Sequence, residues 1–121
     1  MKYPMTTLLA LAAALPAAWA QTSTPAPAMQ RFIIERDIPG ASKMSADDKR
    51  AGAAKSNAVL HDMGPDIQWV QTYVAGDKMY CIYQAPNAEL IREHAKRSGF
   101  PADKITPIAA VLDPTTANPA R

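Results

Sequence analysis

The stretch IQWVQTYVAGDKMYCIYQAPNAELIREHAKRSGFP, residues 67–101, constrains the fold more tightly than any other part of the chain. Trp69, Gln71 and Tyr73 alternate with Val70, Thr72 and Val74. Gly76-Asp77 follows, and a second β-rich run covers Met79 to Gln84. Two such runs around a Gly-Asp pair predict a β-hairpin. A loop of two or four residues would pair Tyr73 with Tyr80, and a loop of three would pair Tyr73 with Met79 and Gln71 with Cys81. In either register, strand alternation puts Trp69, Gln71 and Tyr73 on one face, an aromatic surface interrupted by an amide. Ala85-Pro86 ends the second run, and Asn87 is a good helix N-cap with Glu89 in the first turn. Helical projection then gathers Leu90, Ile91, His94, Ala95 and Ser98 on one arc, opposite Glu89, Arg92, Glu93 and Lys96. His94 is therefore expected to face the sheet, and Gly99 to close the helix.

Upstream, Arg31 to Arg36 is β-rich and bounded by Pro39-Gly40, which predicts a first strand. Period 2 puts Phe32 and Ile34 on one face and Ile33 with Glu35 on the other. Ser45-Ala46-Asp47-Asp48 opens a helix that Gly64-Pro65 terminates. Its apolar arc, Gly52, Ser56, Val59, Leu60 and Met63, carries small side chains, so a close approach to the sheet is expected. His61 lies off that arc near the C-terminal end, where it is expected to be solvated. Lys104 to Leu112 reads as a last strand, and Pro107 within it argues for an edge position or a bulge.

The order β-α-β-β-α-β predicts an α+β, ferredoxin-like fold, with both helices on one face of a four-stranded antiparallel sheet. No third helix is available for the other face. An apolar patch there would meet water in a monomer, so sheet-to-sheet pairing into a homodimer, a dimeric α+β barrel-like assembly, is expected.

The N-terminal residues read as an export signal. Lys2 precedes an apolar run over residues 5–15, and Ala18-Trp19-Ala20 supplies small residues at a cleavage site. The run is too short to span a bilayer, which takes about 20 apolar residues, so no membrane span is expected after cleavage. Residues 1–20 are thus assigned as signal peptide and 21–29 as a flexible Pro/Ala/Thr spacer. Residues 30–113 form the folded domain and 114–121 a loose tail, and the protein is expected to be periplasmic or secreted. Without Lys2 the basic count falls from 13 to 12 against 11 acidic residues, about +1 in net charge. With no basic block, nucleic acid is not an expected partner. Cys81 is the only cysteine, so no internal disulfide is available in an oxidising compartment and the core must hold the fold. A buried small hydrophobe is the expected state of Cys81.

Residues 69–105 and the FIIERDIPG segment at 32–40 resemble a bacterial domain-of-unknown-function family that includes a small nickel-binding protein of dimeric ferredoxin-like fold. The resemblance is carried by Glu35-Arg36 with Pro39-Gly40, Tyr73, Asp77-Lys78, Tyr80-Cys81, Tyr83, Ile91-Arg92-Glu93-His94 and Gly99-Phe100-Pro101. It covers nearly all of the chain after residue 30 and implies nickel, or another divalent transition metal, as cofactor. The export signal departs from the commoner form of the family, as does Gly76, where a polar turn residue is more usual. Nickel(II) takes imidazole, carboxylate and thiolate ligands, and the chain offers His94, His61, Cys81 and carboxylates such as Glu35. No HxH, HxxxH or CxxC spacing is present. His94 could meet Glu35 or Cys81 across the core as a mixed site, or it could be a core histidine bonded to Tyr73 or Gln71. A surface site from His61, Asp62 and a second copy's carboxylate is a further alternative.

A different reading of the same residues is a small-molecule pocket on the sheet face, lined by Trp69, Gln71, Tyr73 and Tyr83. Glu35 or His94 would then serve as a general base. A third is an interaction module whose aromatic surface docks a partner. No nucleophile–base pair or oxyanion motif is visible, so the sequence supplies no catalytic residue.

Overall fold

The computed structural model describes residues 12–14 and 27–120. The expected export signal lies outside the described residues apart from 12–14, and the expected spacer apart from 27–29. Among the described residues no helix is long and apolar enough to cross a membrane.

Four strands and two α-helices alternate in the expected order: β1 Gln30–Asp37, α1 Ala46–Met63, β2 Gln68–Ala75, β3 Lys78–Ala85, α2 Ala88–Ser98 and β4 Lys104–Pro107. The sheet order is β2-β3-β1-β4 with every neighbouring pair antiparallel, an α+β ferredoxin-like arrangement.

Local chemistry accounts for the element ends. Ser45 caps α1 by accepting from the Asp48 amide, with Asp47 and Asp48 in the positively polarised first turn. Asn87 caps α2 by accepting from the Leu90 amide, and Gly99 ends it in the left-handed region at φ 75°. The hairpin loop has two residues, since Ala75 pairs with Lys78 and Tyr73 with Tyr80. Gly76 has φ 58°, and among the described residues no non-glycine residue has positive φ. Glycine thus occupies the first central position of a turn of the II′ kind, whose twist suits a hairpin. This turn also holds the β1–α1 connection, because the Ile38 amide donates to the Asp77 carbonyl and the Gly40 amide to Asp77 Oδ1, both at 2.9 Å.

The core lies between the sheet and the helices and contains Phe32, Ile34, Ile67, Cys81, Tyr83, Ala85 and Ile91. Phe32 and Ile34 face inward, while Ile33 and Glu35 lie half-buried on the opposite face. Along α2, Ile91, His94, Ala95 and Ser98 are buried.

Three expectations are corrected. First, β2 carries a bulge between Trp69 and Gln71: Trp69 pairs with Tyr83 and Gln71 with Ile82, leaving Val70 as the extra residue. One extra residue reverses the alternation beyond it. Trp69 therefore shares the helix-facing side with Thr72, and its indole Nε1 donates to Thr72 Oγ1 at 2.9 Å. Gln71 and Tyr73 lie together on the opposite, open face, where the Gln71 amide contacts the Tyr73 hydroxyl. Second, β4 ends at Pro107 instead of running to Leu112. It occupies the sheet edge, where the missing proline N–H is tolerated. After Ile108 donates to the Arg31 carbonyl at 2.9 Å, the chain leaves the sheet and Val111 and Leu112 are exposed. In the expected loose tail, Asp113 caps a short 3-10 turn, Pro114–Ala117. Third, the small side chains of α1 do not bring it flush against the hairpin; a cleft of about 540 Å³ separates them.

Candidate functional site

Three places gather polar chemistry: the buried interface of α1, α2 and β3, the cleft beside it, and the open face of the sheet. The first two share Ser56 and Tyr83, and the third lies across the sheet from them.

His94 is fully buried, as its position on the apolar arc of α2 requires. Its partner is Ser56 of α1, not the expected Tyr73 or Gln71, both of which the bulge directs to the other side of the sheet. Ser56 Oγ lies 3.2 Å from His94 Nε2 and 3.1 Å from Tyr83 Oη. One hydroxyl thus links both helices to β3. The Tyr83 and His94 rings lie 5.2 Å apart between centroids, and Nδ1 of His94 has no hydrogen-bond partner. Burial holds the imidazole below its ordinary value of 6.5; the Arg36 charge adds to this and the contact with Ser56 opposes it. Burial likewise pushes the Tyr83 phenol up, against the effects of Ser56 and Arg36. Both groups are therefore neutral around pH 7.

Arg36 is 2% exposed, a residue the sequence did not mark as buried. Period 2 alone would have placed it with Phe32 and Ile34; its charge argued otherwise. Its Nε donates to Cys81 Sγ at 3.3 Å, its Nη1 donates to the Pro101 carbonyl, and its Nη2 has no partner. The guanidinium lies 5.9 Å from the centroid of Phe100, and Lys55 approaches the same ring at 5.5 Å. Cys81 is buried, as expected of a small hydrophobe, and is a free thiol.

The cleft between α1 and the hairpin is walled by Trp69, Met79, Tyr83, Met44, Ala53 and Phe100, with Arg36 and Cys81 in its lining. Trp69 and Tyr83 thus stand on the helix side, their rings nearly parallel with centroids 6.5 Å apart. Gln71 and Tyr73, grouped with them by the sequence reading, lie on the far side of the sheet.

On the open face, Glu35 pairs in register with Tyr80 and Lys104. Its carboxylate lies 3.8 Å from Lys78 Nζ and 3.9 Å from Lys104 Nζ. Lys78, closer to Asp37 at 3.3 Å, has its pKa raised by that contact first and by the nearby Tyr80 and Glu35 as well. Around these charges lie Ile33, Ile82, Tyr73 and Val70, the last two exposed. Among the described residues no helix covers them.

The four expected metal donors are not brought together. His94 is inside, Glu35 is across the sheet from it, Cys81 contacts Arg36, and His61 is an exposed residue of α1 with Nδ1 3.7 Å from Asp62 Oδ1. Among the described residues no three His, Cys, Asp or Glu side chains cluster as a metal site. The donors among the described residues therefore do not fit a closed nickel centre: the buried His94 Nδ1 has no hydrogen-bond partner, and the nearby Arg36 charge repels a cation.

The family description "Nickel responsive protein SCO4226-like" matches residues 32–108. No curated protein matches the chain. A solved structure, SCO4226 from Streptomyces coelicolor A3(2), is similar with a TM-score of 0.57 at 22% identity, covering 68% of this chain and 99% of that one. At that identity the likeness concerns the fold.

Proposed function

This chain belongs to the SCO4226-like family of nickel-responsive proteins, and from that premise we propose that it is an exported, nickel-associated protein that works as a homodimer. Export rests on the leader pattern over residues 1–20, and a periplasmic or secreted location follows from it. The association with nickel rests on the family. The observation that carries the dimer is the uncovered sheet face, where Ile33, Ile82, Tyr73 and Val70 are bordered by Glu35, Asp37, Lys78 and Lys104. A two-fold copy pairs this face with itself, burying the apolar centre and setting each carboxylate against the partner's lysines.

The dispersal of donors supports a site shared between copies. Among the described residues a single chain offers no closed set, and in this reading the ligands come from two copies. Glu35 lies on the pairing face, and His61 with Asp62 forms an exposed two-donor pair that a carboxylate of the second copy would complete. His94 is not a ligand in this reading, because its ring is committed to Ser56 in a site without other donors.

Size-exclusion chromatography with light scattering at micromolar concentration tests the assembly, and calorimetric nickel titration of tag-free protein tests the metal. A dimer is expected, with nickel binding weakened by Glu35→Gln or His61→Ala and unchanged by His94→Ala. A monomer refutes the assembly. Absence of a nickel heat, or loss of binding in His94→Ala with the fold intact, refutes the placement of the donors.

A further inference from the structure

The cleft on the helix side of the sheet is separate from the dimer face and from the Glu35 and His61 donors proposed for nickel. We propose that it binds a small amphipathic carboxylate, an apolar body seated between α1 and the hairpin with its anionic head on Arg36.

The cavity size fits such an occupant: about 540 Å³ falls within the roughly 300–1,000 Å³ typical of small-molecule sites. Its wall combines flat aromatic surface, Trp69, Tyr83 and Phe100, with the thioethers of Met44 and Met79, which adapt their shape to an apolar guest. On α1 the lining residues are the exposed Asp48 and Lys49 and, less exposed, Gly52, Ala53 and Ser56, the last three too small to fill the space. A Cβ added at Gly52 would meet nothing within 4 Å. The void is thus a consequence of side-chain choice on an otherwise regular, capped helix.

The charge supplies the chemistry. Arg36 is 2% exposed, and no carboxylate pairs with it among the described residues. A buried guanidinium normally has such a partner, because its desolvation is costly without one. Its neighbours are instead a thiol, a backbone carbonyl and an aromatic ring; its buried Nη2 has no partner, and Arg36 is among the residues lining the cleft. A carboxylate that enters the cleft and reaches the Arg36 guanidinium supplies the missing acceptor, and a charge-assisted bond forms in apolar surroundings. A cation is repelled by the same guanidinium, and an uncharged apolar molecule leaves Nη2 orphaned. The class is therefore an apolar acid with a single carboxylate.

Titration of the purified protein with decanoate and, in parallel, with 1-decanol tests this, followed by calorimetry and by the fluorescence of Trp69 in the cleft wall. Decanoate is expected to bind at one per chain and to shift the Trp69 emission, about ten- to a hundredfold more tightly than decanol. Arg36→Gln is expected to remove that preference. Ala53→Phe, which fills the cleft from α1 and leaves Arg36 in place, is expected to abolish binding of both probes, so the test survives if the Arg36 variant fails to fold. Equal affinity for the two probes, binding that persists in Ala53→Phe, or no binding of decanoate up to about 1 mM overturns the proposal.

Discussion

Ser56→Ala is the sharpest test of how the two helices are tied to the sheet. The substitution removes one oxygen and leaves helix propensity intact or improved, so any loss comes from the hydroxyl's partners. Those are Tyr83 Oη at 3.1 Å and His94 Nε2 at 3.2 Å. Both residues are buried. Since Nδ1 of His94 is already without a partner, the variant leaves the whole imidazole unbonded. Orphaning a buried polar group costs about 1–3 kcal/mol; with two groups orphaned and some relaxation, about 2–4 kcal/mol is expected. Tyr83→Phe removes one partner yet leaves Ser56 bonded to His94, so about 1 kcal/mol is expected. In the double variant no tyrosine hydroxyl remains to be orphaned. The combined loss should fall short of the sum of the single losses by about 1 kcal/mol, the signature of a shared network. Urea unfolding followed by far-UV circular dichroism measures all three. A Ser56→Ala loss below about 0.5 kcal/mol, the size typical of an exposed site, or strict additivity in the cycle, would refute the network.

Further outcomes follow from the same structure. Because the folded imidazole of His94 is held below its ordinary 6.5, the unfolded chain binds the extra proton more readily. The stability contributed by neutral His94 is then fully present above about pH 6.5 and is lost as pH falls through that value toward the folded pKa, by at most about 1.4 kcal/mol per pH unit. His94→Gln should flatten that slope between pH 7.5 and 5 in urea titrations at fixed temperature, and an unchanged slope assigns it to other groups. Gly76→Ala forces a side chain into the φ 58° position of the hairpin turn. A loss of about 1–2 kcal/mol is expected, and an unchanged urea midpoint contradicts the turn geometry. Ile91 is wholly buried in the core cluster, so Ile91→Ala should cost about 2–5 kcal/mol, whereas Arg92→Ala on the exposed side of the same helix should cost about 0.5 kcal/mol or less.

The element order, the helix caps, the Gly76-Asp77 turn, the inward faces of β1 and α2, and hence the ferredoxin-like topology are all legible in the order of residues. These follow from near-neighbour rules: the period of a strand or helix and the hydrogen-bonding of residues three or four positions apart. The inward position of His94 was legible for the same reason. The identity of its partner was not, since Ser56 and Tyr83 are distant in sequence and meet only when α1 and α2 pack on β3. The Val70 bulge was equally hidden. A run of alternating residues carries no mark of where pairing slips by one, yet that slip sends Trp69 into the cleft and Gln71 and Tyr73 to the open face. The burial of Arg36 and the void beneath α1 also belong to tertiary structure. A charged residue is driven inside, and a small-sided helix held off the sheet, by how the surrounding layers close, a balance of packing and desolvation that local pattern does not encode.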